Sequence, residues 1–268
     1  MQWNKIEAVF LAKTSARLHR VNLYGLAALA VVLALTLLLS PHLSAAPEQP
    51  TGDYSLWLPL LVKPGSSNNN PIHDGIATYY YADGNGACLF GPSPNDLMVA
   101  AMNAEEFDNA AYCGAYVQVT GPDGTVVVRI VDMCADCFAG HVDLSIQAFA
   151  KIAPIPDGRV DVTWQVISPN LSGPIAYHFK DGSNQWWTAV QIRNHRNPIA
   201  KFEYRTNGGQ WVNVPRTSYN YFVQASGMGP GPYTFRVTDS YGNVLTDSGI
   251  PHMENGTVEG SGQFPPGP

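Results

Sequence analysis

The chain has 268 residues, a net charge of −6 and four cysteines, and only 13% of its residues are charged. That length suits two domains behind a leader better than one small domain. The acidic balance excludes a chain built to grip nucleic acid, whose phosphates call for a basic surface.

Residues 1–46 read as a targeting segment. Lys5, Lys13, Arg17 and Arg20 precede an apolar run from Leu23 to Leu39, and the small Ser44-Ala45-Ala46 follows. Basic, then apolar, then small is the order of an export signal. An uncleaved membrane anchor is the alternative, because the run approaches bilayer-spanning length. The protein is therefore expected outside the cell, secreted or anchored there. Residues 47–73 read as a linker, carrying the breaker-rich Gly65-Ser66-Ser67-Asn68-Asn69-Asn70-Pro71, a composition that connects domains. Inside it, Trp57-Leu58-Pro59-Leu60-Leu61-Val62 is too short to span a membrane.

From residue 74 to 168 the pattern is mostly strand. Tyr116–Thr120 alternates, Gly121-Pro122-Asp123-Gly124 supplies a turn, and the β-branched Thr125–Val131 returns, which together predict a hairpin. Short helices are expected at Asn95–Asn103 and at Ser145–Ile152, the second with Ser145 as N-cap. Val160–Val166 closes the stretch with period-two alternation. Many short strands and turns predict a closed barrel. Pro169–Pro174 marks a boundary, and 171–268 predicts a β-sandwich, with a hairpin turn at Asn207-Gly208-Gly209. Trp164 and Trp211 lie in alternating strands and are assigned to the core. The halves differ in charge: Asp74 to Ser168 holds twelve acidic and three basic residues, Leu171 to Pro268 six acidic and seven basic.

Export implies an oxidising compartment, so Cys88, Cys113, Cys134 and Cys137 read as disulfides, with a zinc site as the competing reading. The densest chemistry runs from Val131 to Ser145. Asp132 ends an apolar strand, Cys134-Ala135-Asp136-Cys137 follows, then His141-Val142-Asp143-Leu144-Ser145. Two carboxylates near a strand end can act on a glycosidic bond, one as acid and the other as base or nucleophile. Equally, Asp132 can hold a loop and Asp143 can cap a turn. His141 reads as a solvated loop residue and His195 as structural. The histidines form no metal set, and no cofactor is implied.

Gly75-Ile76-Ala77-Thr78-Tyr79-Tyr80, Gly86-Ala87-Cys88, Val131-Asp132 and Val142-Asp143-Leu144-Ser145 together resemble the double-psi β-barrel of expansins. Trp186-Trp187, Val190-Gln191-Ile192-Arg193-Asn194-His195 and Tyr219-Asn220-Tyr221-Phe222-Val223 resemble the C-terminal sandwich of bacterial expansins. The resemblance implies a six-stranded double-psi barrel followed by an immunoglobulin-like sandwich. It implies Thr78, Asp132 and Asp143 as groove residues, and Trp186, Trp187, Tyr219 and Lys180 as a binding platform. It also implies bridges Cys88–Cys113 and Cys134–Cys137. The family's groove tyrosine, two residues after the first aspartate, is replaced by Cys134; Tyr79, Tyr80 and Tyr81 are candidates to supply the missing ring. Related endoglucanases with this barrel place a catalytic base shortly after the threonine. Here that stretch offers Asp83, which reads as a turn residue.

The expected activity is binding cellulose, with xylan, other β-glucans and peptidoglycan as further candidates, and loosening it without hydrolysis, by a monomer. A weak endoglucanase, a peptidoglycan lytic transglycosylase and a pure carbohydrate-binding adhesin are the alternatives.

Overall fold

The structure, a computed structural model, describes residues 70–268; the expected leader, most of the linker and the Trp57–Val62 segment lie outside the described residues. Six strands, β1 (His73–Tyr80), β2 (Val99–Asn103), β3 (Tyr116–Gly121), β4 (Gly124–Cys134), β5 (Val142–Ser145) and β6 (Val160–Ile167), close into a barrel in the order β1-β5-β2-β4-β3-β6. The period-two pattern decides which side chains fill it. Val126, Val128 and Ile130 of β4 and Val162, Trp164 and Val166 of β6 point inward, and their intervening residues do not. Each such apolar side chain contributes roughly 1.5–3 kcal/mol on burial. Trp164 is core, as expected, and its indole N–H donates to the Gly140 carbonyl at 2.8 Å.

The expected helix at Asn95–Asn103 is instead β2. Val99, Ala100 and Met102 are fully buried because β2 pairs with β4 on one side and β5 on the other. A strand buried on both faces shows a continuous apolar run, which periodicity alone cannot tell from a helix. Helix begins only after it: Asn103 caps α1 (Ala104–Phe107), accepting from Glu106 N at 3.1 Å. Ser145 caps α2 (Ile146–Phe149), accepting from Ala148 N at 3.1 Å.

The second half forms two four-stranded sheets. One is β10-β9-β12-β13, from β9 (Ile199–Arg205), β10 (Trp211–Asn213), β12 (Tyr233–Asp239) and β13 (Val244–Ile250). The other is β11-β8-β7-β14, from β7 (Ala176–Phe179), β8 (Thr188–Arg193), β11 (Phe222–Gln224) and β14 (Thr257–Glu259). Tyr177, Phe179, Phe202, Phe222 and Phe235 meet between them. Trp211 is not in this core. Val212 packs against the core, so by alternation Trp211 faces outward. There it lies under the Arg236 guanidinium at 4.3 Å from the ring centroid.

Barrel and sandwich meet through polar groups that reach across to backbone. Gln191 Nε2 and Asn220 Nδ2 both donate to the Cys88 carbonyl, at 2.9 and 3.3 Å. Arg216 Nη1 donates to Ala110 O at 2.9 Å. The buried His195 packs on Gly114 so closely that a Cβ there would stand 2.6 Å from its Nε2. Cys88–Cys113 is bridged at the barrel side of this junction, with both sulfurs buried, and Cys134–Cys137 is bridged at the end of β4.

Candidate functional site

Strand register aligns the barrel's polar residues in one row. Asp132 of β4 is opposite Ala101 of β2, Ala101 is opposite Asp143 of β5, and Asp143 is opposite Thr78 of β1. Asp132 and Asp143 are thus two strand spacings apart, about 9–10 Å at the backbone, with the small Ala101 between them.

Asp143 is the centre of the row. The Thr78 hydroxyl donates to its Oδ1 at 2.5 Å. Thr78 Oγ1 also lies 2.9 Å from His141 Nε2. Because the threonine proton is committed to Asp143, the hydroxyl must accept from His141, which fixes the proton on Nε2. Burial raises the Asp143 pKa above the ordinary carboxylate value; the Thr78 hydrogen bond and His141 act against this, and Asp132 adds the smallest upward push. Burial also lowers the His141 pKa. His141 therefore belongs to the site rather than to a solvated loop. Its place just ahead of β5, two residues before Asp143, was the available signal.

Asp132 is turned to the backbone. Its Oδ1 accepts from Ala87 N at 2.7 Å and Met133 N at 2.8 Å. Gly86 is required beneath it, since a Cβ there would lie 2.4 Å from the Asp132 Cβ. The Gly86–Cys88 segment thus binds Asp132 on one side and, through Cys88 O, the sandwich on the other.

Among the three tyrosines, Tyr80 shares the Thr78 face, while Tyr79 packs on Phe149 and Tyr81 is 83% exposed. The Tyr80 hydroxyl is buried without a protein hydrogen-bond partner. Burial raises its pKa, and Asp132, Asp143 and Asp83 raise it further. Asp83 is a turn residue: its carboxylate accepts from Asn85 N at 2.8 Å and Asn85 Nδ2 at 2.9 Å. Cys134 is held in its bridge.

On the sandwich, Trp186 and Trp187 sit in a tight turn closed by the Asn184–Trp187 bridge, not in a strand. Asn184 Oδ1 accepts from the backbone N–H groups of both tryptophans, at 2.9 and 3.1 Å. A turn frees the pair from strand alternation, and Trp186 is 72% exposed while Trp187 is half-buried. Gly227 underlies the turn; a Cβ there would stand 2.0 Å from the Gln185 carbonyl. Trp187 precedes β8 at one end, and Tyr219 precedes the antiparallel β11 at the other. β11 pairs with Thr188–Val190 of β8, so Trp187 and the turn that carries Tyr219 lie at opposite ends of this strand pair. Tyr221, which is buried, has Tyr219 6.1 Å away and Lys180 Nζ 5.9 Å from its ring centroid. The Tyr219 end adjoins the barrel through Asn220.

Expansin-YoaJ of Bacillus subtilis (strain 168) is 36% identical to this chain over 211 residues, covering 75% of the chain and 90% of that protein. The chain belongs to the bacterial expansins. Expansin-like protein 1 of Dictyostelium discoideum is 30% identical over 205 residues, 71% of each protein. The crystal structure of apo Clavibacter michiganensis expansin matches with a TM-score of 0.69 and 32% identity, covering 73% of this chain and 99% of that one. An aspartate-to-asparagine variant of the Clavibacter expansin, solved in complex with cellohexaose, matches equally well. The family described as lytic transglycolase matches the barrel over residues 73–164. In this expansin the barrel therefore combines an expansin architecture with a bridged Cys134 beside the groove.

Proposed function

We propose that this expansin works outside the cell, binds cellulose-type glucan through the aromatic row of its sandwich, and loosens it through the barrel groove without cutting it. The observation that carries the reading is that, among the described residues, Asp83 and Asp132, the carboxylates nearest the groove besides Asp143, are both engaged by N–H donors of their own surroundings. Hydrolysis with inversion needs an acid and a base flanking a water. Asp143, with its raised pKa and Thr78 contact, is suited to be an acid or a strong hydrogen-bonding partner. Asp83 is bonded within its own turn, and Asp132 spends one oxygen on two backbone N–H groups. Thr78, Asp143 and Tyr80 then compete for hydroxyls that neighbouring glucan chains share.

Binding has a different origin. The apolar face of a pyranose suits the flat rings of Trp186, Trp187 and Tyr219, which bring large contact area at low entropic cost. The likeness to an expansin solved with cellohexaose supports this assignment. The barrel's likeness to lytic transglycolases, with the raised pKa of Asp143, favours peptidoglycan lysis as the second reading, because that chemistry needs one acid. Reducing-end release and mechanical weakening are to be measured together on cellulose, xylan and peptidoglycan. Weakening of cellulose without sugar release is the expected result. Release proportional to protein and time would replace loosening with lysis, and binding without weakening would leave an adhesin.

A further inference from the structure

The loop that brings His141 to the groove is held at every backbone polar group. Gly140 N donates to Glu106 Oε2 at 3.0 Å, and Gly140 O accepts from the Trp164 indole at 2.8 Å. His141 N donates to Phe138 O at 3.0 Å, and His141 O accepts from Asn103 Nδ2 at 3.2 Å. Asn103 is fully buried, and its Nδ2 donates to Glu106 Oε2 as well. The other oxygen of Glu106 accepts from His73 Nδ1 at 2.8 Å. The His73 ring lies flat on Trp164, with centroids 3.9 Å and planes 1° apart. Glu106, His73, Trp164 and Gly140 thus close a ring of contacts in which one carboxylate answers three N–H donors.

The backbone so fixed belongs to a residue that acts on the groove. His141 Nε2–H donates to Thr78 Oγ1 at 2.9 Å, and Thr78 donates to Asp143 Oδ1 at 2.5 Å. The loop is also pressed on the strand that bears Thr78: a Cβ at Gly75 of β1 would stand 1.9 Å from Gly140 O. Hydrogen bonds in a chain polarise one another, so the last link is strongest while the first donor stays in place. An ionised acceptor holds its donors about twice as strongly as a neutral one, which suits Glu106 to keep that first donor still.

We propose that Glu106, seated outside the groove, is a positioning residue: with Asn103 it fixes Gly140 and His141, and through His141 and Thr78 it sets the hydrogen bond that Asp143 receives. The proposal rests on the groove reading above. The expected sign separates positioning from charge. Thr78 and His141 both lower the Asp143 pKa against the burial that raises it. Letting His141 drift should therefore raise that pKa further. Removing the Glu106 charge by itself could only lower it, since one anion disfavours another nearby.

The test follows the Asp143 carboxyl carbon and the His141 ring nitrogens by NMR against pH in the full chain, together with paper weakening per bound molecule. Glu106→Ala is expected to raise the Asp143 pKa, to lose the single Nε2-protonated form of His141, and to reduce weakening several-fold, while cellulose binding through the sandwich stays. Glu106→Gln should restore all three. Its amide oxygen can take the place of Oε2, and its NH2 can face the other tautomer of His73. Asn103→Ser keeps a good N-cap for α1 and removes the donor to His141 O. It should also raise the Asp143 pKa, which keeps the proposal testable if Glu106→Ala fails to fold; a parent-like Asp143 there overturns it. An Asp143 pKa unchanged or lowered in Glu106→Ala, with the His141 tautomer intact, would leave Glu106 a stability residue only and overturn the proposal. So would an equal upward shift in Glu106→Gln. A raised pKa with undiminished weakening would uphold the positioning and overturn the groove reading.

Discussion

Asp132 and Asn220 hold adjacent links of one short segment: Asp132 accepts from Ala87 N at 2.7 Å, and Asn220 donates to Cys88 O at 3.3 Å. A groove residue of the barrel and the sandwich residue next to Tyr219 therefore grip the same backbone from opposite sides. Gln191 donates to the same Cys88 carbonyl at 2.9 Å from a fully buried position. This segment, pinned further by the Cys88–Cys113 bridge, is thus a direct polar connection between the two domains.

Loosening should depend on that link more than binding does. Gln191→Ala removes a buried donor to Cys88 O, and breaking such a hydrogen bond costs about 1–3 kcal/mol. Cellulose isotherms should stay as in the parent, because the aromatic row is untouched, while paper weakening per bound molecule falls. A variant that weakens paper as well as the parent would show that the domains act independently.

Binding should run through Trp186, Trp187 and Tyr219. Replacing both tryptophans by Ala should cost several kcal/mol, at about 2 kcal/mol or more for each stacked anchor. Binding to neutral cellulose should vary little with salt, since stacking is not ionic. An isotherm unchanged in the double variant would place the binding face elsewhere.

Much of this was legible in the sequence, for identifiable reasons. Barrel strands with one buried face announce themselves by alternation, as β4 and β6 do, and Ser145 marked its helix by its capping chemistry. β2 was misread because burial on both faces erases the period. Trp211 was misplaced by one residue of parity, which only the partner strand settles. The Asp143 environment was half legible. Both carboxylates are visible in the sequence, but the raised pKa of Asp143 comes chiefly from burial, and burial depends on residues distant in sequence. The choice of Tyr80 among three adjacent tyrosines required the pairing of Thr78 with Asp143 to define the groove face.

Tyr80→Phe separates a ligand contact from a structural one. The hydroxyl is buried without a protein partner, so deleting it should leave stability unchanged or raise it by about 1 kcal/mol. If the phenol is a groove donor, weakening should fall while sandwich-borne cellulose binding stays. A lower melting temperature in Tyr80→Phe would mean the hydroxyl is satisfied within the fold.

Acid should destabilise the junction through His195. Burial holds its pKa down to about 4, against the ordinary 6.5. A depressed pKa means that the folded state disfavours the charged form. The associated stability is fully present above pH 6.5 and is lost as pH falls toward 4, up to about 3 kcal/mol. His195→Gln should be less stable at neutral pH yet lose less between pH 7 and pH 4. Parallel stability curves for parent and variant over that range would remove His195 from the acid transition.

Asp143→Asn should abolish weakening, leave cellulose binding intact, and change the pH dependence of stability in a predictable sense. The Asp143 pKa is raised in the folded protein, chiefly by burial. Stability from a raised carboxylate pKa is fully present below the unfolded value, about 3.9, and is lost as pH rises through the folded value. Ionised Asp143 is therefore a burden at neutral pH, carried because an anion accepts stronger hydrogen bonds from glucan hydroxyls than an amide does. The Asn variant should melt higher than the parent at pH 7, and the difference should vanish near pH 3. Thr78 can still donate to the amide oxygen, so the row of Thr78, Asn and Ala101 should persist and the loss of weakening cannot be attributed to collapse of the groove. A variant that melts no higher at pH 7 would mean Asp143 is better solvated than its burial implies. A variant that weakens paper as the parent does would show that the groove carboxylate takes no part in loosening.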